Sequence, residues 1–185
     1  PAPEEDETLW QVSLALKTVQ DGKATTDMNA MLPGVRETDI PVPDAKNSVW
    51  KLNAETIGVY RVAYSPEHLA KLGKAAAQKD SAFSLEDRVG LVSDAFTLAQ
   101  AGYSKTSGGL ALMHALRGDN SSLVNTAAAL NLGKLASVWW EQPQSVRDGI
   151  NRFRADVFGP MARELTFEFG AVSYTHLRAH ETRGN

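Results

Sequence analysis

The chain has 185 residues, 43% of them hydrophobic and 22% charged, and 19 Lys and Arg against 22 Asp and Glu leave a formal net charge of −3. That balance describes a globular protein able to bury a core without disulfides or metals, and it lacks the clustered basic face of a general nucleic-acid binder. The absence of cysteine excludes a disulfide framework, a thiolate metal site and a thiol nucleophile, and no apolar run approaches the roughly 20 residues of a membrane span. The acidic opening, residues 1–7, reads as a disordered start without the apolar core of a secretory signal.

From residue 8 the hydrophobic pattern has period 2. Trp10, Val12, Leu14 and Leu16 alternate with Gln11, Ser13, Ala15 and Lys17, which predicts one strand with four large apolar side chains on a single face. Asp21-Gly22 predicts a hairpin turn, a return strand is expected over about 24–31, and Pro33-Gly34 marks the next turn. Pro41 and Pro43 exclude a central strand between them. A final pair of strands is expected at Val49-Trp50-Lys51-Leu52 and at 59–64, with Tyr60, Val62 and Tyr64 on one buried face.

Near Pro66 the period changes to that of helices. Ser65-Pro66-Glu67 is a helix start, with a capping hydroxyl, a proline where its missing N–H costs nothing, and an acid at the positive end of the dipole. Ser84 opens a second helix, whose stripe of Leu85, Val89, Val92, Phe96 and Ala99, widened by Leu91, Ala95 and Leu98, predicts a central buried element ending at Gly102. Arg88, near the positive end of that helix, needs a carboxylate or a carbonyl from a neighbouring element. Further helices are expected over about 106–117, with Leu110, Met113 and Leu116 inward, over about 121–140, and after Pro143, with Val146, Ile150, Phe153 and Val157 inward. Connections as short as Gly118-Asp119-Asn120 predict antiparallel neighbours. The fold class is therefore mixed: a small antiparallel β-sandwich portion followed by a superhelical stack of helical hairpins.

The residues offer little chemistry. His176 and His180 share the i, i+4 spacing of the zinc motif H-E-x-x-H, but Leu177 stands where that motif needs its general-base Glu. His68 and His114 lie on predicted helices without the serine and carboxylate of a triad, and Gly58 and Gly108-Gly109 belong to no phosphate loop. Glu86, Asp87, Arg88 and Asp94 read as a solvated face or an interhelical ion pair, and Trp139-Trp140 as an aromatic plug between helices rather than a ligand platform. No catalytic, cofactor-binding or metal-ligating residue is assigned.

Four segments carry a family resemblance. Leu9-Trp10-Gln11-Val12 resembles the "lWqiPi" strand of the gluzincin zinc aminopeptidases, in particular their puromycin-sensitive and fungal cytosolic branch. Residues 51–64, Lys51-Leu52-Asn53 through Gly58-Val59-Tyr60-Arg61-Val62 to Tyr64, resemble its "kLNxxqxGfYRVnY" segment. Residues 84–96, with Asp87-Arg88 and Asp94-Ala95-Phe96, are similar to its "lsxeDRxgLxxDaFaLa" helix, and Arg152-Phe153-Arg154 with Pro160 resemble its "rfxrdlvxPxaxxlGwe" helix.

The resemblance spans about residues 8–169 and implies placement rather than catalysis. Residues 8–64 would be part of the family's β-sandwich domain and 65–170 the first part of its C-terminal bowl of helices, a non-catalytic portion that shapes and closes the peptide cavity. The G-x-M-E-N loop, the H-E-x-x-H helix, the distant Glu ligand and the catalytic Tyr belong to missing N-terminal and catalytic domains, so zinc is implied for a full-length parent and not for this chain. The parent would act on peptides in the cytoplasm, with neither nucleic acid nor a membrane as partner of this chain. Residues 171–185, containing Tyr174-Thr175-His176-Leu177-Arg178-Ala179-His180-Glu181, resemble a translated sequencing adaptor and are expected to be non-native. The alternative is a free-standing helical-repeat binding scaffold with a β cap, although the five helices show no regular repeat period.

Overall fold

The computed structural model describes residues 7–165, in which five short strands precede five helices. The strands are β1 (Gln11–Ser13), β2 (Leu16–Gln20), β3 (Lys23–Asp27), β4 (Met31–Pro33) and β5 (Val49–Lys51). The helices are α1 (Pro66–Ala76), α2 (Leu85–Gln100), α3 (Thr106–Ala115), α4 (Ser122–Val138) and α5 (Gln144–Glu164). The mixed class, antiparallel strands and then helices, is the one the sequence predicts. The expectations for residues 1–6 and for the tail with His176 and His180 lie outside the described residues.

The strands form two sheets, β1 with β4 and β3-β2-β5, all antiparallel. The single strand expected over 10–16 is two strands, because Ala15 adopts a left-handed φ of 42°. The kink turns two carbonyls out of the ladder: Leu14 accepts from the Asn53 N–H at 2.7 Å and Ala15 from the Ala54 N–H at 2.9 Å. It also breaks the alternation of faces, so Leu16, Lys17 and Thr18 are all buried while Trp10 is 71% exposed. Asp21 and Gly22, both at positive φ, make the expected two-residue hairpin, with Gln20 paired to Lys23.

Residues 59–64 form no strand. Their polar groups go to other partners: the Tyr60 hydroxyl donates to the Leu14 carbonyl at 2.9 Å, and the Val62 N–H to Asp94 at 3.1 Å. Tyr60, Val62 and Tyr64 are each half-buried, not the single covered face that was expected.

The helix starts are where the sequence puts them. Ser65 accepts from the His68 N–H, and Ser84 and Asp87 form a reciprocal capping box on α2. At the other end of α2, Gly102 (φ 83°) closes a Schellman motif, with the Tyr103 N–H bonded to Leu98 and the Gly102 N–H to Ala99. The fully buried residues of α2 are Asp87, Gly90, Leu91, Val92, Ala95 and Phe96; Leu85, Val89 and Ala99 of the expected stripe sit at its half-covered edge. The face is rotated because α2 is covered on three sides, by α3, α4 and the 54–56 turn. In α3 the inward residues are Leu112, Met113 and Leu116, with Leu110 at the edge. Along the 21 residues of α5 only Val157 is fully buried, and Val146, Ile150 and Phe153 are half-covered.

Leu72, Phe83, Leu91, Val92, Leu112, Met113 and Leu132 make the centre of the core, and Val19 and Val49 of the sheet pack against it. Helices α2 and α3 pack closely at Gly109, where an added Cβ would lie 2.7 Å from the Phe96 ring. Alanine at this helical position gains about 1 kcal/mol of propensity, whereas overpacking a buried ring costs about 1–3 kcal/mol. Gly109→Ala is therefore expected to lower stability by about 1 kcal/mol in urea titration; an increase would show that α2 and α3 have room to separate.

Candidate functional site at the sheet–helix junction

Lys17 and Lys51 stand directly opposite each other in the β2–β5 register, on the face that carries Val19 and Val49 toward the helices. Like charges opposed across two strands repel, and both are buried. The third helical residue of α2 resolves the conflict. Asp87, with 0% of its side chain exposed, accepts hydrogen bonds through Oδ2 from Lys17, and its Oδ1 lies 3.0 Å from Lys51 Nζ. Oδ1 also accepts the Glu55 N–H at 2.8 Å, and Oδ2 the Ser84 N–H at 3.2 Å. Glu55, 45% exposed, bonds Lys17 as well and brings the four charges to neutrality.

The electrostatics follow from this packing. Burial alone would lower the Lys17 pKa, but its bonds to Asp87 and Glu55 outweigh burial and hold it above the ordinary lysine value. For Asp87, burial pushes the pKa up, and Lys17 and Lys51 more than offset it, so the carboxyl titrates below its ordinary range.

The same face of α2 holds the segment that follows β5. Asn53, Glu55 and Thr56 all have left-handed φ values of 54–56°, a strain of order 1 kcal/mol or more for each non-glycine residue. The strain is held by specific contacts. The Asn53 amide donates to the Gly58 carbonyl at 3.0 Å and its oxygen accepts the Gly58 N–H at 2.7 Å; the Thr56 hydroxyl donates to the Glu86 carbonyl at 2.8 Å. Gly90 lets Thr56 close in, since a Cβ there would lie 2.2 Å from the threonine Oγ1. One turn on, Asp94 takes the Val62 N–H and the Arg61 guanidinium, the latter at 2.9 Å. Between this segment and α2 lies a cleft of about 490 Å³, bordered by Glu55, Val59, Tyr60, Glu86 and Val89.

Beside it, His68 of α1 stacks on Trp50 of β5, ring centroids 4.1 Å apart, and donates from Nε2 to the Trp50 carbonyl at 2.6 Å. Tyr64 meets the same Trp50 edge-on at 5.9 Å, and its hydroxyl accepts the Leu52 N–H at 3.1 Å. Burial raises the Tyr64 pKa far above the ordinary tyrosine value, against the opposing effect of the Leu52 backbone. Burial lowers the His68 pKa, with Lys71 adding to the effect and the bond to Trp50 opposing it.

The candidates from sequence distribute as follows. Arg88 finds both expected partners, Asp119 as an ion pair at 2.8 Å and the Phe83 carbonyl as a hydrogen bond at 3.0 Å. Asp87 meets the lysines of β2 and β5, Asp94 meets Arg61 and the Val62 N–H in the segment before α1, and Glu86 is exposed. His114 lies 3.2 Å from Asp156. Trp139 is half-buried and Trp140 is 65% exposed. The residues that sequence reasoning passed over are Lys17, Lys51 and Glu55; the available signal was a lysine inside each of two apolar strands. Among the described residues no three of His, Cys, Asp and Glu converge as a metal requires, and His68 has spent its Nε2 on a carbonyl, so this donor set does not fit zinc.

A sheet fastened by a buried ion cluster to the first turn of the second helix of a stack defines a junction module. The chain belongs to the ERAP1-like C-terminal domain family, which matches residues 50–181. It is 33% identical to Aminopeptidase 2, mitochondrial, of Saccharomyces cerevisiae and 32% identical to Aminopeptidase 2 of Candida albicans. Each comparison covers 90% of this chain but 16–17% of the relative, so the chain spans about a sixth of the length of these curated relatives. The Alanine/arginine aminopeptidase of Saccharomyces cerevisiae is 30% identical over the same share of the chain, 90%, and 18% of its own length. The resemblance to the aminopeptidases read from Trp10, Asn53, Tyr60, Asp87 and Arg88 therefore holds.

Two outcomes follow from the junction. Asp87→Ala leaves two buried lysines opposed without a counter-ion and is expected to cost about 3–5 kcal/mol, whereas Glu55→Gln at the solvent edge should cost less than about 1 kcal/mol, both read in urea titrations. His68 prefers to be neutral in the fold, so the unfolded chain takes up the proton first and stability should fall as pH drops below about 6.5. Asp87 has the depressed pKa of a paired acid, and its contribution should be lost below about pH 4. His68→Gln should flatten the first descent and leave the second; an unchanged profile in that variant would assign the first descent to another group.

Proposed function

We propose that this chain is a non-catalytic portion of a zinc metallo-aminopeptidase, in which residues 8–64 belong to a β-sandwich domain and 65–170 begin a C-terminal helical domain that shapes and closes the peptide cavity. The observation that carries the reading is Asp87: the junction segment and α2 hold two of the segments that resemble the family, 51–64 and 84–96, and one buried carboxylate ties them into a corner. A corner held in this way between a sheet and a stack of helices suits a wall that must keep its shape around a substrate. In this reading zinc and the residues that activate water reside in domains outside the chain, and the parent acts on peptide N-termini. In this reading the parent is cytoplasmic. Among the described residues no helix is long and apolar enough to cross a membrane.

Reading the coding sequence upstream of Pro1 tests the assignment directly. An H-E-x-x-H helix in frame sustains it, and a start codon beside Pro1 favours a free-standing scaffold and sinks it. The purified chain is expected to hold no stoichiometric zinc and to hydrolyse no aminoacyl amide, because metal catalysis needs three ligands and an activating base. In the full-length parent, Arg88→Ala should lower thermal stability while turnover per folded enzyme stays nearly constant. A hundredfold loss of turnover at unchanged stability, about 2.7 kcal/mol of transition-state stabilisation, would instead put Arg88 in the active site.

A further inference from the structure

The second half of α4 carries chemistry that the junction does not use. Asn131, Lys134, Leu135 and Val138 recur at helical spacing and, with Trp139, enclose a cavity of about 270 Å³ against the C-terminal end of α2 and the start of α3. Its walls are apolar, from Phe96, Leu135, Val138 and the half-buried Trp139. Its rim is polar and unspent. Asn131 uses its amide N–H on the Ala127 carbonyl but not its oxygen, and neither the Lys134 ammonium nor the Thr106 hydroxyl has a partner among the described residues. This sets it apart from the junction cleft, where Arg61, Asp94, Thr56 and Tyr60 are all engaged. No Asp or Glu lines the cavity, although the chain carries more acids than bases.

We propose that this cavity binds a small carboxylate bearing an aromatic or branched aliphatic group, with the carboxylate on Lys134 and Thr106 and the apolar body against Trp139 and Phe96. Charge complementarity selects the anion: the lining offers one cation, hydrogen-bond donors and no competing acid. Size and walls select a body no larger than one bulky amino-acid side chain, with the Trp139 and Phe96 rings among the apolar lining. The inference is independent of the aminopeptidase reading, since it uses only residues of α2, α3 and α4 and Trp139 at the end of α4.

Titration of the 185-residue chain with hydrocinnamate, hydrocinnamide and phenethylammonium, followed at the Trp139 indole N–H by NMR, tests it. Hydrocinnamate should bind saturably and about fivefold more tightly than the amide, the range of a partly solvated ion pair, with the ammonium weakest. Lys134→Met, a surface change, should bring acid and amide within twofold of each other without weakening the amide, and Ala99→Trp should abolish both by filling the space. Equal affinity for acid and amide in the unaltered chain, preference for the ammonium, acid selectivity that survives in Lys134→Met, or no saturable binding of any probe would each overturn the proposal.

Discussion

Two lysines placed face to face across a pair of strands, with the water removed, would unfold this junction unless a carboxylate stood between them. Asp87 is that carboxylate, and the described residues contain no other buried acid. Its position satisfies three requirements at once. As the third residue of α2 it completes the capping box with Ser84, as an anion near the helix start it complements the dipole, and as the counter-ion of Lys17 and Lys51 it fixes where the sheet lies on the helix. The strained turn after β5 then depends on the same group, because the Glu55 N–H is bonded to Asp87 Oδ1. Cap, sheet and turn are thus one cooperative unit rather than three local features.

Helix α2 divides its labour by face. Asp87, Gly90 and Asp94, spaced three and four residues apart, form a stripe given wholly to the strand side, where they hold Lys17, Lys51, Thr56, Arg61 and the Val62 backbone. Leu91, Val92, Ala95 and Phe96 face the other helices. A helix covered this way cannot rotate about its axis without breaking charge pairs on one side and packing on the other. The packing thins toward the far end of the stack, where α5 meets α4 and α3 with Val157 fully buried and Phe153 and Phe158 half-covered.

Much of this was legible because the signals are local. Ser65-Pro66-Glu67, Ser84 with Asp87, Gly102 and Asp21-Gly22 each specify a cap or turn through chemistry confined to a few residues, and all four behave accordingly. What the sequence hid depends on distant partners. Period-2 reading carried one strand through Ala15, because a left-handed alanine is visible only when Asn53 and Ala54 arrive to bond the carbonyls it exposes. Residues 59–64 have the composition of a strand, yet their N–H and hydroxyl groups are claimed by Asp94 and Leu14 before any strand can pair with them. Lys17 read as the polar alternate of an apolar strand, and Lys51 only as a member of the strand at 49–52. Their burial follows from an aspartate some 70 residues downstream of Lys17, a relation no local pattern encodes.

The choice of an ionic rather than an apolar junction has a physical consequence of its own. Three hydrophobic side chains in place of Lys17, Lys51 and Asp87 would bury surface at lower desolvation cost, so the cluster is weak as a source of stability. It is strong as a specification. Shifting β5 by one residue against β2 would present Trp50 or Leu52 to Asp87 and leave Lys51 on the opposite side of the strand, an error an apolar patch would tolerate and an ion pair would not. The short strands, five residues in β2 and three in β5, supply few ladder bonds to set that register themselves. With so little sheet to define alignment, the buried charges do it, and the positions of Asn53, Glu55 and Tyr60 on the face of α2 follow from the register they impose.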